Sequence, residues 1–186
     1  MQEKENILYI LKKTKEAIKR NDVVLMKELS NMTIHSASIY NDADNIAIAV
    51  IIYGISKIIE RKRYRNYKEW PSFFSLLVNG LNNAITSLEK NDINKFRESL
   101  KSIRSNIKNI SGHLHNYIEA VFRKAQINKA SRIYEHGISM QQTANLLGIS
   151  VFELAEYVGK TGIADVDLSI TLNIEERIKF AEEIFK

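Results

Sequence analysis

Residues 139–160 read SMQQTANLLGISVFELAEYVGK, and their spacing predicts the local structure of the C-terminal part of the chain. Ser139 and Gln142 have the spacing of a capping box, which marks the first turn of a helix. A second box of this kind begins at Ser150. Between the two boxes, Gly148 is suited to the left-handed conformation that ends a helix. The stretch therefore predicts two short helices joined by a tight turn, which is a helix-turn-helix.

The apolar and turn residues of this stretch follow the pattern A-x-x-x-G-I-S-x-x-x-L. It is carried by Ala144, Gly148, Ile149, Ser150 and Leu154. This pattern resembles the helix-turn-helix of many bacterial and archaeal DNA-binding proteins. With the flanking segments RIYEHGIS (132–139) and KTGI (160–163), the region is also similar to helix-turn-helix antitoxins that partner PIN-domain ribonuclease toxins. The resemblance implies contact with DNA or with a protein partner.

In DNA-binding proteins with this motif, the second helix enters the major groove and its early residues meet base edges. The corresponding positions are Ser150, Val151, Phe152, Ala155, Glu156 and Gly159. They offer one hydroxyl and one acid instead of the Arg, Lys, Asn or Gln side chains that read bases, so we expect weak sequence specificity. Glu153 and Glu156 are expected to repel phosphates. The candidate nucleic-acid contacts in this unit are Gln141, Gln142, Ser150 and Lys160.

The composition of the 186 residues is that of a helical globular protein, with 45% apolar and 26% charged residues. One Pro and seven Gly, in a chain rich in Leu, Ile, Lys and Glu, favour helix almost throughout. We predict an all-α fold, with a helical bundle over residues 1–111. Residues 112–186 are predicted to hold a connecting helix, the helix-turn-helix and a short tail.

The chain has no Cys, which excludes a disulfide framework and cysteine-based zinc sites. It shows no cleavable signal and no uninterrupted apolar span of membrane length, so we expect a cytoplasmic protein without a membrane partner. The net charge of +5 is unevenly spread. Residues 1–125 carry 21 Lys and Arg against 13 Asp and Glu, whereas residues 126–186 carry 6 against 9. Electrostatic affinity for a polyanion is therefore expected to come mainly from the body.

The densest positive charge lies in the run RKRYRNYK, residues 61–68. Backbone phosphates are suitable ligands for its cations, and its two tyrosines are suited to stacking on unpaired bases. The candidate nucleic-acid contacts here are Arg61, Lys62, Arg63, Arg65 and Lys68. The alternative is a solvated loop between helices. A second positive stripe is predicted on the fifth helix and its start, formed by Lys90, Arg97, Lys101, Arg104 and Lys108.

Hydrophobic periodicity predicts six helices before the helix-turn-helix. We expect them at residues 5–20, 22–40, 42–60, 72–89, 92–110 and 113–136, with the apolar segment 46–53 as the core of the body. The turns KRNDV (19–23) and EKNDI (89–93) form a faint repeat that suggests two stacked helical hairpins. In the tail, residues 166–170 are predicted as a short strand or extended arm, and residues 173–185 as an amphipathic helix. This helix either folds back onto its own domain or offers a surface to a protein partner.

We found no motif for catalysis and predict neither catalytic residues, a metal site nor a cofactor. His113 and His115, with His35 or His136, lack the third placed ligand that a metal site requires. The predicted function is therefore a non-catalytic, nucleic-acid-associated regulatory protein, a DNA-binding regulator of transcription, with DNA ranked before RNA and a homodimer as a further expectation. The alternative is a protein-interaction module such as an antitoxin or an assembly adaptor. A continuous positive face favours the first function, and an exposed apolar groove beside Phe152 favours the second.

Overall fold

The computed structural model describes residues 3–40, 43–108 and 113–161, and the side chains of these except 37–40, 43, 106–108 and 113. These ranges contain eight α-helices, one 3-10 helix and no strand. The all-α prediction is confirmed. In chain order the elements are α1 (Lys4–Arg20), α2 (Val23–Tyr40), α3 (Ala43–Glu60), the 3-10 helix (Lys62–Asn66), α4 (Trp70–Glu89), α5 (Ile93–Lys108), α6 (His113–Glu135), α7 (Met140–Leu147) and α8 (Val151–Thr161).

Helix α3 is the centre of the body. Its sequence is apolar on every side, and such a helix is stable only when other elements surround it. It contacts α1, α2, α5, α6 and α7. Its fully or nearly buried residues include Ile46, Ile48, Ile51, Ile52, Ile55 and Ile58. Because most of residues 46–53 are buried, the predicted core of the body is confirmed. Each buried isoleucine stabilises the fold by about 1.5–3 kcal/mol relative to an exposed one.

Two turns with the sequence Asn-Asp have the same geometry. The backbone of Asn21 and of Asn91 is in the left-handed conformation, with φ of 55° and 59°. Asn21 follows α1 and Asn91 lies just after α4. The Asp22 carboxylate accepts a hydrogen bond from the Leu25 amide at 3.0 Å. Asp92 accepts one from the amide three residues later at 2.9 Å. These hydrogen bonds cap the starts of α2 and α5. The α1–α2 hairpin packs against the α4–α5 hairpin through α1 and α4, as the sequence repeat suggests.

Helix α6 was predicted as a connection between two parts, and it is also part of the body. It packs against α2, α3 and α5 on one side and against α7 and α8 on the other. Gly54 of α3 makes the close approach possible, since a Cβ there would lie 2.7 Å from the Phe122 ring. The buried apolar residues of α6 include Leu114, Ile118, Val121, Ala125, Ala130 and Ile133.

The helix-turn-helix is joined to the body by a continuous apolar core. Ala144, Leu147, Leu154 and Val158 are buried in the same hydrophobic cluster as α3 and α6. Helix α7 also contacts α3 directly. The boundary at residue 111 stays a prediction, because it lies outside the described residues together with the tail segments 166–170 and 173–185.

The start of α4, the basic run and Arg97 also differ from the predictions. Helix α4 begins at Trp70, two residues before the predicted start, because Pro71 fits the first turn of a helix. The basic run contains a 3-10 helix, so it is not a solvated loop throughout. Arg97, assigned to a positive stripe, donates hydrogen bonds to both carboxylate oxygens of Asp44 at 2.8–3.1 Å. This ion pair neutralises one charge of the stripe.

Across the described ranges, no helix has both the length and the apolar character needed to cross a membrane.

Candidate nucleic-acid interface

The helix-turn-helix has the local geometry that its sequence predicts. The Ser139 hydroxyl accepts a hydrogen bond from the Gln142 amide at 3.2 Å and caps α7. Gly148 ends α7 with a φ of 64°, and the amide of Ile149 reaches back to the Ala144 carbonyl at 3.1 Å. Ala144 is fully buried. A larger side chain at this position would displace its neighbours. The turn is therefore fixed by local chemistry.

The start of α8 is held by a second capping box and by an arginine from α6. The Ser150 amide donates to the Glu153 carboxylate at 3.0 Å, and the Glu153 amide donates to the Ser150 hydroxyl at 3.1 Å. Arg123 adds hydrogen bonds to both carboxylate oxygens at 2.5 and 2.6 Å. The pKa of Glu153 is lowered to about 2, mainly by the hydrogen bond from the Ser150 backbone amide and next by the hydrogen bonds from Arg123.

This arrangement corrects the prediction that Glu153 repels phosphates. Its carboxylate is turned toward α6 and is neutralised by Arg123. Glu156 has a partner on its own helix, because the Lys160 ammonium forms an ion pair with it. The same ion pair weakens the attraction of Lys160 for a phosphate, because the Glu156 carboxylate offsets part of its positive charge. Sequence reasoning missed Arg123, which is 30 residues from its partner.

The outward face of the helix-turn-helix is polar on α7 and mixed apolar and polar on α8. Gln141 and Gln142 are exposed, and the Gln141 amide donates to Asn145 at 3.1 Å. On α8, Phe152 is 85% exposed. The other exposed positions of α8 are Ala155, Glu156, Gly159, Lys160 and Thr161. Few of these side chains distinguish one base pair from another.

The cationic cluster, which we define as Arg61, Lys62, Arg63, Arg65 and Lys68, is carried by the 3-10 helix and its ends. Tyr64 of this helix is 2% exposed and stacks on Tyr117 of α6, with ring centroids 5.9 Å apart. The guanidinium of Arg63 lies 5.5 Å from the Tyr64 ring and 5.8 Å from the Tyr117 ring. Arg61 lies 5.9 Å from the Tyr64 ring. The prediction that both tyrosines are free to stack on bases is therefore wrong for Tyr64.

The cationic cluster keeps its charge. Arg65 donates a hydrogen bond to the neutral Asn21 side chain at 2.7 Å, and Lys62 and Lys68 are exposed. No carboxylate of the described residues lies within ion-pair distance of the five cations. A cation held over an aromatic ring is ordered without being neutralised, because the ring carries no net charge. Among the residues that the structure describes, the cluster is thus an ordered positive surface without a carboxylate partner.

The structure brings one end of the cluster next to α8. Arg61 and Lys160 line the same cleft of about 620 Å³, between the end of α3, α6 and α8. Lys57 and Lys124 add two further cations to its walls. Its three carboxylates, those of Glu60, Glu153 and Glu156, each have a cationic partner. Gln141, Gln142 and Ser150 do not line this cleft and lie on the part of the helix-turn-helix beyond it.

One buried cation was not predicted. Lys129 of α6 is 1% exposed, and its ammonium donates to the Asn31 side chain at 2.8 Å. It also lies 4.2 Å from the centroid of the Tyr53 ring. Burial lowers the pKa of Lys129 to about 8. This lysine ties α6 to α2 and α3, and it is not available to a ligand.

The histidines make pairwise contacts. His35 and His136 meet edge to face with ring centroids 5.7 Å apart, and His115 lies 3.3 Å from Glu119. The side chain of His113 lies outside the described residues. In the part of the chain that the structure describes, no three His, Cys, Asp or Glu side chains are grouped as metal ligands would be. The predicted absence of a metal site and of catalysis stays a prediction.

The chain gives no match to a protein-family model, to a curated protein or to a solved structure. The resemblance to helix-turn-helix DNA-binding proteins and antitoxins therefore stays a prediction, and function is argued from the geometry of the site.

Proposed function

We propose that this protein is a non-catalytic regulator that binds nucleic acid, with duplex DNA as its ligand. The observation that supports this proposal is the cationic cluster, whose five positive charges have no carboxylate partner among the described residues. Arg61 of this cluster and Lys160 of the helix-turn-helix line one cleft. A single duplex is thus able to meet both.

The binding energy in this proposal comes mainly from phosphates. Each phosphate that a cation neutralises releases counterions, so affinity falls steeply as salt rises. Arg61 and Arg63 are held over the Tyr64 ring, and Arg63 also over the Tyr117 ring, so these two lose less side-chain freedom on binding than free arginines would. The exposed face of α8 helps to position the protein on the duplex and offers few side chains that read bases, so binding is weakly sequence-specific. Pairing of two copies on adjacent half-sites is part of the same proposal.

A charge-removal variant tests the proposal. Replacing Arg61, Lys62, Arg63 and Arg65 by Gln should weaken binding to a fluorescent DNA duplex and flatten its salt dependence. Each lost phosphate contact lowers the slope of log affinity against log salt by about 0.9. The control removes the same net charge through four Lys→Gln changes on the α1 and α5 surfaces, at Lys12, Lys15, Lys95 and Lys101. Two of these, Lys12 and Lys95, are ion-paired with Glu89 and Asp92. Anisotropy titrations at several salt concentrations compare the two proteins.

Equal losses in the two variants would contradict the proposal, because the effect would then follow from net charge alone. Unchanged DNA affinity in the cluster variant would also contradict the proposal, because residues 61–65 would then have only a structural role. Circular dichroism checks that both variants remain folded.

A protein-interaction module, such as an antitoxin or assembly adaptor, is the second candidate function. The observation that favours it is Phe152, an 85% exposed aromatic side chain on α8. Exposed aromatic residues are common anchors at protein interfaces. A pull-down with the wild type and with Phe152→Ala, each with and without nuclease, distinguishes the two functions. A partner that resists nuclease and is lost in Phe152→Ala would favour this second candidate.

A further inference from the structure

A second cleft, of about 830 Å³, lies between the body and the helix-turn-helix, and the proposed function does not use it. Its walls come from α3, α6 and α7, with Arg104 contributed by α5. Small-molecule pockets commonly have volumes of roughly 300–1,000 Å³, so this cleft is large enough for a metabolite-sized ligand.

The chemistry of the walls is divided between an apolar floor and a polar rim. The floor is formed by buried side chains of Ile46, Val50, Ile51, Phe122 and Leu147. The rim is formed by polar lining residues that are exposed or half-buried, namely Arg104, Asn116, Arg123 and Gln126. The described lining residues include one carboxylate, that of Glu119. An apolar floor under a cationic rim is complementary to a molecule with an apolar body and an acidic group.

We propose that this cleft binds a small amphipathic acid, with its carboxylate at Arg104 and Arg123 and its apolar body on the floor. Arg104 is exposed and has no ion-pair partner among the described residues. Its charge is therefore available to a ligand. The floor residues Ile46, Val50 and Phe122 supply the apolar contact that favours a hydrocarbon chain or ring over a purely polar anion.

The cleft is connected to the position of α8. Arg123, on the rim, holds Glu153 at the first turn of α8 with hydrogen bonds of 2.5 and 2.6 Å. Gln126, also on the rim, donates to the carbonyl of Leu147 at the end of α7, at 3.4 Å. A ligand carboxylate that takes Arg123 from Glu153 loosens the start of α8. Occupancy of the cleft thereby changes the helix-turn-helix, and this regulatory role rests on the proposed function.

Ligand binding is tested on the protein alone, without nucleic acid. The probe is dansylated undecanoic acid, whose fluorescence rises in an apolar site, and decanoate and decanol are the competitors. Decanoate should displace the probe saturably and roughly tenfold better than decanol, because the alcohol lacks the charge that meets the guanidinium groups. Arg104→Gln should remove this preference, whereas Lys101→Gln, one turn away on α5 and outside the lining, should keep it. Ala47→Phe fills the cleft and should abolish probe binding.

The connection to α8 has its own test. Glu153→Gln keeps a capping side chain and frees Arg123, so it should bind decanoate several-fold more tightly than the wild type. Decanoate should also speed hydrogen exchange of the amides at residues 151–155. Absence of saturable probe binding, or wild-type binding by folded Ala47→Phe, would overturn the site. Exchange that decanoate leaves unchanged would overturn the regulatory role. Since no nucleic acid is present, failure here is distinct from failure of DNA binding.

Discussion

At the scale of single residues, Lys129 is the side chain whose environment differs most from its ordinary one. It is buried, with its ammonium on Asn31 and the Tyr53 ring, and burial lowers its pKa to about 8 from 10.5. The unfolded chain therefore binds more protons than the folded protein between these two values, so stability rises with pH there. We expect the free energy of unfolding to increase by about 2 kcal/mol between roughly pH 7 and pH 9.5.

Urea denaturation at a series of pH values measures this increase. The window ends before pH 10 because burial raises the pKa of Tyr53, and the stability from that group declines as pH rises further. Lys129→Met should flatten the rise, since it removes the titrating group. Lys124→Met, an exposed change on the same helix, should preserve it. A rise that persists in Lys129→Met would assign the effect to other groups.

Residue-scale features were predictable where their chemistry is local. The caps at Ser139 and Ser150 and the left-handed Gly148 involve partners within a few residues, so their spacing alone indicates them. The Lys129–Asn31 and Arg97–Asp44 contacts join residues 98 and 53 apart. No short pattern encodes such pairs, because they depend on how whole helices pack.

At the scale of elements, the 3-10 helix depends on Tyr64, which anchors it to α6. Tyr64→Ala should destabilise the protein by about 3–5 kcal/mol, the usual cost of truncating a buried aromatic side chain. It should also weaken DNA binding, since Arg61 and Arg63 lose the ring that orders them. Tyr64→Phe keeps the ring and should stay within about 1 kcal/mol of the wild type.

Urea denaturation and duplex titration of both variants measure these effects. If Tyr64→Ala binds DNA like the wild type while folded, the aromatic support has no part in binding.

The crossing of α7 and α8 limits the size of the side chain at position 144. Ala144 is fully buried there, so Ala144→Leu should cost about 1–3 kcal/mol by overpacking. Because α6 is covered by α2 and α3, we expect limited proteolysis of this variant to cut first within residues 136–150. Asn145→Leu, an exposed change on the same helix, is the control. Loss of every resistant fragment would instead indicate that the whole chain unfolds with the helix-turn-helix.

Element types were predictable from periodicity and caps, and the roles of two elements were not. The Arg and Lys content of residues 61–68 predicts phosphate contacts or a solvated loop, and neither reveals that Tyr64 buries its ring against Tyr117 of α6. Helix α6 was assigned to a connection, and its apolar residues pack on both the body and the helix-turn-helix. In each case the partner surface comes from a distant segment, which composition does not reveal.

At the scale of the whole molecule, the positive body and the helix-turn-helix meet at one surface. The sequence separates them by charge, with a surplus of cations before residue 126 and of acids after it. In the folded protein Arg61 and Lys160 face the same cleft, and the acids of α8 are paired. We therefore propose that one duplex contacts the cationic cluster and the helix-turn-helix together.

Lysine footprinting of the wild-type protein with a DNA duplex measures whether both surfaces are contacted at once. Acetylation is measured at each lysine by mass spectrometry with and without the duplex at low salt, where phosphate contacts are strongest. We predict joint protection of Lys62, Lys68 and Lys160, whereas Lys12, Lys15, Lys95 and Lys101 should react equally in both samples. Protection of the α1 and α5 lysines, with Lys62, Lys68 and Lys160 unchanged, would contradict the account.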